Sequence, residues 1–244
     1  MLTLGFWRSA NKIMSYLREV DINVTLPPFA PLQEIFGIVP KLFRAQTLLP
    51  RLIEAEAGIA TVVFLNERIL SRIQKGFIML TVAAAYRNSY CFIEQHQKLR
   101  SLGVTERDLN QIASDHHQAG LSLPDSALLD FALKLAVVAP WLSAKDIALV
   151  RDHGFADESI LEAILVTALA DFLCTLSTGL GPSPDYEPRL IPGSVNVSPP
   201  DLSSYVGGIA GPYLRTVELS PESFPPFAFF LQRFGFIPSS LWQK

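Results

Sequence analysis

Cysteine is scarce in this chain, with two residues in 244, Cys91 and Cys174. Two distant thiols make no disulfide framework, which excludes the stapled small secreted domains and leads us to expect a reducing, cytoplasmic setting. Charge is also thin: 18% of residues are charged, the net charge is -3 and the pI is about 5.8. Without any run of lysines and arginines, neither a nucleic acid nor an anionic membrane surface is an expected partner. No segment offers the roughly 20 uninterrupted apolar residues of a membrane helix. Met1 to Val20 carries Phe6, Trp7, Ile13, Met14 and Leu17, but Arg8, Lys12 and Arg18 interrupt them. It therefore reads as a packing or interface helix and not as a signal peptide. Credible strand alternation is missing too. What remains is 49% apolar residues, ample for a dry core in one large domain or two small ones.

The periodicity is helical from Leu42 onward, after a lead-in segment broken by Pro27, Pro28, Pro31 and Pro40. Capping-box spacings mark helix starts at Ser71 with Gln74, Thr105 with Asp108 and Ser143 with Asp146. They predict helices over 42–48, 50–65, 71–86, 89–101, 105–118, 124–138, 144–152 and 157–177, with Gly103, Gly120, Gly154 and Gly179 as stops. The fold class is all-α. The last helix is apolar on nearly every face, from Ile160 to Leu176, and so is expected to be buried by its own domain or by a partner subunit. Cys174 lies on it, where a small buried hydrophobe is the expected role.

Beyond Gly181 the chain turns rich in proline and serine, the composition of a loop or wrapping arm. Within it, Pro225-Pro226-Phe227-Ala228 and Phe234-Gly235-Phe236-Ile237-Pro238 repeat Pro27-Pro28-Phe29-Ala30 and Phe36-Gly37-Ile38-Val39-Pro40, with seven of fourteen positions identical. Leu241-Trp242 echoes Leu42-Phe43. Either the chain is the first half of a tandem protein, or its tail docks as the lead-in segment does.

The chemistry concentrates in Arg87-Asn88-Ser89-Tyr90-Cys91-Phe92-Ile93-Glu94-Gln95-His96. With Asn88 as N-cap, Cys91 falls at the third helical position, where free amides and the helix dipole stabilise a thiolate. Arg87, folded back, adds to this; Glu94, one turn on, opposes it unless it serves as a proton acceptor. His96 is five residues from Cys91, about 140° round the helix, near the thiol without facing it. Tyr86 and Tyr90 either line a pocket beside the thiol or pack in the core. Asp115-His116-His117 suggests a metal or base cluster, but adjacent helical histidines point about 100° apart. At most one would join Asp115, so a helix-end solvent face is expected and no metal or cofactor is assigned. His153, ahead of Gly154, suits a helix C-terminus without catalysis.

The run from Leu70 to Leu99, LSRIQKGFIMLTVAAAYRNSYCFIEQHQKL, resembles the AhpD-like or carboxymuconolactone decarboxylase family, in its peroxidase-related branch. The likeness continues through IFGIVPKLFRAQTLLP, SLGVTERDLNQIASD and GLGPSPDYEP. It divides the chain into an N-terminal helical extension (1–24), an AhpD-like helical bundle (25–188) and an irregular Pro-rich C-terminal extension (189–244). It also implies a homo-oligomer, as a dimer, trimer or hexamer.

Active members of that family carry a Cys-x-x-Cys pair, a His four residues after the second Cys and a Glu twelve before the first. Here Cys91 matches the second, peroxide-reducing cysteine, Asn88 stands for the first, Gly76 for the Glu and Gln95 for the His, with His96 displaced by one. The resemblance thus implies a peroxidase-related oxidoreductase that reduces a small hydroperoxide through a single cysteine, in an antioxidant role. Cys91, Glu94 and His96 would be catalytic, Asn88, Arg87, Tyr90 and Gln95 supporting, and an external thiol the reductant. The family's intramolecular disulfide is not expected, since Cys174 is the only other thiol. Decarboxylase chemistry finds no carboxylate clamp. The alternative is a degenerate domain acting as an oligomeric binding or scaffold module.

Overall fold

The computed structural model describes residues 15–18, 29–67 and 69–186. The expected helix within 1–24, the arm beyond residue 186 and the repeat at 225–242 lie outside the described residues, apart from 15–18.

Among the described residues there are nine α-helices and no strand: α1 (Phe29–Phe36), α2 (Lys41–Arg44), α3 (Pro50–Ile59), α4 (Arg72–Ala85), α5 (Ser89–Ser101), α6 (Glu106–Asp115), α7 (Leu123–Val138), α8 (Ala144–Asp152) and α9 (Asp157–Leu180). The capping residues act as their spacing predicts. Ser71 Oγ accepts the Gln74 amide at 3.2 Å while Gln74 Oε1 accepts the Ser71 amide at 3.0 Å. Thr105 Oγ1 accepts the Asp108 amide at 3.2 Å, and the Asp146 carboxylate takes the amide of Ser143 at 2.7 Å.

Four differences from the sequence reading have local causes. The lead-in segment holds a helix, α1, because Pro31 falls in its first turn, where a missing amide hydrogen costs nothing. The predicted 42–48 helix shortens to Lys41–Arg44, and Leu49 leaves helical geometry (φ -133°, ψ 68°) ahead of Pro50, in keeping with the bias of residues before proline against the helical region. The predicted 50–65 helix widens into a π-helical turn over Ala60–Leu65. Helix α9 runs through Gly179 and ends at Gly181, whose left-handed backbone (φ 64°) closes the cap. A side chain at 181 would also collide with the ring of Tyr16, whose amide donates to Leu180 O at 2.7 Å.

The core is built around α4, which packs on α5, α6, α7 and α9 and is buried continuously from Lys75 to Ala84. By length and composition α9 would suffice to cross a bilayer, but here it packs against α4, α7 and α5, with Ile160, Ala163, Val166, Ala170 and Cys174 inside. Lys75, fully buried, ties the wall of the bundle together. Its Nζ donates to Glu162 Oε1 at 2.6 Å, Val63 O at 3.0 Å and Asn66 O at 2.5 Å. The carbonyls left open by the π turn are thus satisfied by a buried cation whose charge Glu162 balances.

Candidate active site

Helices α4 and α5 meet in a tight turn. Arg87 occupies the left-handed region (φ 53°), unusual for a side chain of its size, and points its exposed side chain away from the core. Arg87 therefore does not fold back on the thiol. Asn88 then caps α5: its Oδ1 accepts the Cys91 amide at 2.8 Å. Its Nδ2 reaches across to α9, donating to Cys174 O at 2.9 Å, Ser177 Oγ at 2.9 Å and Thr178 Oγ1 at 3.0 Å. One buried amide thus starts α5 and pins it to the end of α9.

Cys91 is buried, with its sulfur 3.6 Å from Ser177 Oγ. Its thiol pKa is lowered, chiefly by a hydrogen bond from the Cys174 thiol. Burial opposes the shift, Ser177 and the charge of Lys98 assist it, and Glu94 opposes it, as expected of a neighbouring carboxylate. Cys174 moves the other way, its proton held by Cys91 and by its own burial. Cys174 is buried as the sequence suggests, but it is also the direct neighbour of Cys91.

Two adjoining cavities open beside the thiol. The smaller, about 60 Å³, is lined by Cys91, Tyr90, Phe43 and Met79, and the larger, about 260 Å³, by Ile38, Leu65, Leu99, Leu102 and Tyr186. Both share Pro40, Phe64, Glu94, Gln95 and Lys98. Burial pushes the Glu94 carboxyl up to about 7, while the Asp185 amide, donating to Glu94 Oε1 at 2.9 Å, and the charge of Lys98 restrain the rise. Burial lowers the Lys98 ammonium, and Glu94 and Cys91 counteract it. Gln95 is 4% exposed, and its Oε1 has no hydrogen-bond partner among the described residues. A buried acceptor facing a cavity is suited to a ligand's donor.

Tyr90 braces this wall. Its hydroxyl donates to Asp185 Oδ2 at 2.8 Å and accepts the Leu42 amide at 3.2 Å. Asp185 also receives the Lys41 amide at 3.1 Å. The stretch after α9 is thereby folded over the site, where Tyr186 closes one side of the larger cavity.

His96 does not join the group. It packs on Phe92, with ring centroids 5.7 Å apart, and takes its polar surroundings from Glu106, Arg100 and Asn110. Burial lowers its pKa. The reason is the helical phase: residues 91, 94, 95 and 98 share a face, and 96 lies well off it. That spacing was the signal for Lys98. Cys174, Ser177 and Asp185 come from chain segments far away, and no local pattern announces them.

At the Gly76 position, Leu99 fills the space. Its Cδ2 lies 2.6 Å from where a Cβ would stand, so a larger side chain there requires Leu99 to move. The histidine pair also departs from expectation. The backbone at Asp115 is extended and a 3-10 turn (His116–Gln118) follows, which breaks the helical phase. Both imidazoles turn to Asp130 of α7 rather than to Asp115, with Nε2 atoms 2.9 and 3.0 Å from Asp130 Oδ1. Burial would raise the Asp130 carboxyl, but the hydrogen bonds and charges of His116 and His117 hold it below its usual value. These three side chains bring their donor atoms within 4.8 Å of one another.

No protein-family model matches the sequence, and no curated protein does. Solved structures match in fold. An uncharacterized peroxidase-related protein from Ralstonia eutropha, described as an alkylhydroperoxidase AhpD core, superposes with a TM-score of 0.65 at 22% identity, over 70% of this chain and 93% of its own. The chain has the AhpD-like fold. A peroxidase-related protein from a Silicibacter species gives 0.65 at 21% identity, over 74% and 96% of the two chains. A variant of the debrominase Bmp8 in complex with 2,3,4-tribromopyrrole gives 0.59 at 16%, over 71% and 92%. The AhpD-like fold is thus shared by proteins described with more than one activity.

Proposed function

We propose that the protein reduces hydroperoxides at Cys91. The observation that carries this reading is a buried thiol of lowered pKa, capped into the first turn of α5, on a cavity it shares with Glu94, Gln95 and Lys98. The Cys91 thiolate attacks the distal peroxide oxygen and the O–O bond breaks. The leaving alkoxide takes the Glu94 proton, giving an alcohol and a sulfenic acid on Cys91. Lys98 offsets the negative charge in transit, and Gln95 Oε1 accepts the hydrogen of the peroxide. Reduction back to the thiol consumes external thiol. The apolar wall of the larger cavity, with Phe64, Leu65, Leu99 and Leu102, favours an organic hydroperoxide over hydrogen peroxide. A reducing, cytoplasmic setting suits such a cycle, and a homo-oligomer suits the apolar side chains that α9 leaves exposed, Leu165 and Phe172.

A second reading, a binding module without turnover, draws on Gly76, where Leu99 occupies the space of a further carboxylate. Peroxide consumption separates the two. With tert-butyl hydroperoxide and dithiothreitol, the full chain turns over and Cys91→Ser does not; equal rates for both, at the level of dithiothreitol alone, would favour the binding module.

A further inference from the structure

The two thiols of this chain come from different ends of its fold and meet. Cys91 stands in the first turn of α5 and Cys174 near the end of α9, and Asn88 bridges them, its Oδ1 accepting the Cys91 amide at 2.8 Å. Three further contacts hold the pair in place. Asn88 Nδ2 bonds Cys174 O at 2.9 Å, Ser177 Oγ bonds the same carbonyl at 3.1 Å, and Ser177 Oγ lies 3.6 Å from the Cys91 sulfur. Their surroundings differ. Cys91 borders the cavity with Glu94 and Lys98, whereas Cys174, with Tyr86, Thr175 and Thr178, borders a separate open cavity of about 310 Å³.

We infer that Cys174 is the resolving thiol of Cys91, so that peroxide reduction ends in an intramolecular Cys91–Cys174 disulfide linking α5 to α9. This rests on the hydroperoxide reading above and replaces its single-cysteine cycle with a two-cysteine one. After the first step Cys91 is a sulfenic acid. The Cys174 sulfur attacks the Cys91 sulfur, the S–O bond breaks, and the departing hydroxide takes the Cys174 proton and leaves as water. The sum is two thiols and one hydroperoxide giving one disulfide, one alcohol and one water. Asn88 and Ser177 each contact both residues, so the two cysteines are already neighbours before the roughly 2.05 Å bond of a disulfide forms between their side chains.

The separate cavity at Cys174 gives the reductant its own approach. An external dithiol attacks the Cys174 sulfur from the side of Thr175 and Thr178, and Cys91 leaves as the more acidic thiol, the better leaving group. The second thiol of the dithiol then attacks the mixed disulfide, releasing Cys174 and a cyclic disulfide. Asn88, which stands where the sequence pattern of related proteins places a thiol, instead holds the carbonyl of the residue that supplies one.

The test is intact-mass and peptide analysis of the full chain after one equivalent of tert-butyl hydroperoxide, with dimedone present as a sulfenic acid trap. The wild-type chain is expected to lose about 2 Da, to yield a linked peptide pair containing Cys91 and Cys174, and to take up no dimedone. Cys174→Ser and Cys174→Ala are expected to carry one dimedone on Cys91, the pair guarding against a misfolded variant. Dimedone on Cys91 of the wild-type chain with no linked peptide would overturn this inference and leave the hydroperoxide reading standing. Neither adduct nor linkage in any of the three proteins would overturn both.

Discussion

Three influences meet at the Cys91 sulfur: the first-turn amides of α5, the hydroxyl of Ser177 and thiol of Cys174 on α9, and the ammonium of Lys98 one face-repeat along. The cap was legible in the sequence because asparagine ahead of a helical run has one dominant use. Lys98 was legible only through the i, i+3, i+4, i+7 face it shares with Cys91, Glu94 and Gln95, and Cys174, on α9, has no local pattern that ties it to Cys91. Glu94 gives the first prediction. A carboxyl pushed up to about 7 by burial keeps its proton below that pH and can pass it to the leaving alkoxide. Peroxidase kcat/KM is therefore expected to rise with pH as Cys91 ionises and to fall as Glu94 loses its proton. Glu94→Gln should remove the upper limb and lower the maximal rate about 100-fold. A pH profile measured with tert-butyl hydroperoxide checks this, and an unchanged profile would remove Glu94 from the chemistry.

At the level of elements, the π turn at Ala60–Leu65 and the buried Lys75 depend on each other. The turn supplies Phe64 and Leu65 to the cavity wall, and Lys75 satisfies its carbonyl groups while Glu162 supplies the countercharge. Lys75→Met leaves Glu162 without its cation and the carbonyls of Val63 and Asn66 without their donor. The expected loss is about 3–5 kcal/mol, read from urea denaturation, with faster amide exchange at 60–66. A loss below about 1 kcal/mol would show that the turn stands without its lysine. Most helices were legible, since caps and period act locally. The π turn was not, because it answers to a lysine and a glutamate from two other helices. Pro31 misled in the opposite sense: proline reads as a breaker wherever its position in the first turn is unknown.

The whole molecule places a thiol, a carboxyl and an ammonium on one face of α5 and lays α9 against them. In α9, Leu161, Leu165, Ala168, Phe172 and Leu176 follow a repeating stripe, and Leu165 and Phe172 are 45% and 44% exposed. Ile59 and Val62, at the neighbouring π turn, are exposed as well. Self-association through this stripe is expected in solution, and Phe172→Glu should shift the mass measured by light scattering toward the monomer. A monomeric wild-type chain would contradict it. The overall helical architecture could be read from period and caps, and the resemblance to AhpD-like proteins from motifs in order along the chain. Which face of α5 meets α9 depends on contacts between segments far apart in sequence, beyond the reach of local pattern. That meeting is what sets the acidity of Cys91, and the rate of Cys91 alkylation by iodoacetamide against pH measures it. The expected midpoint lies below the ordinary thiol value of about 8.5 and moves upward in Ser177→Ala and Lys98→Met. A midpoint at or above that value in the wild-type chain, unmoved by either substitution, would contradict it.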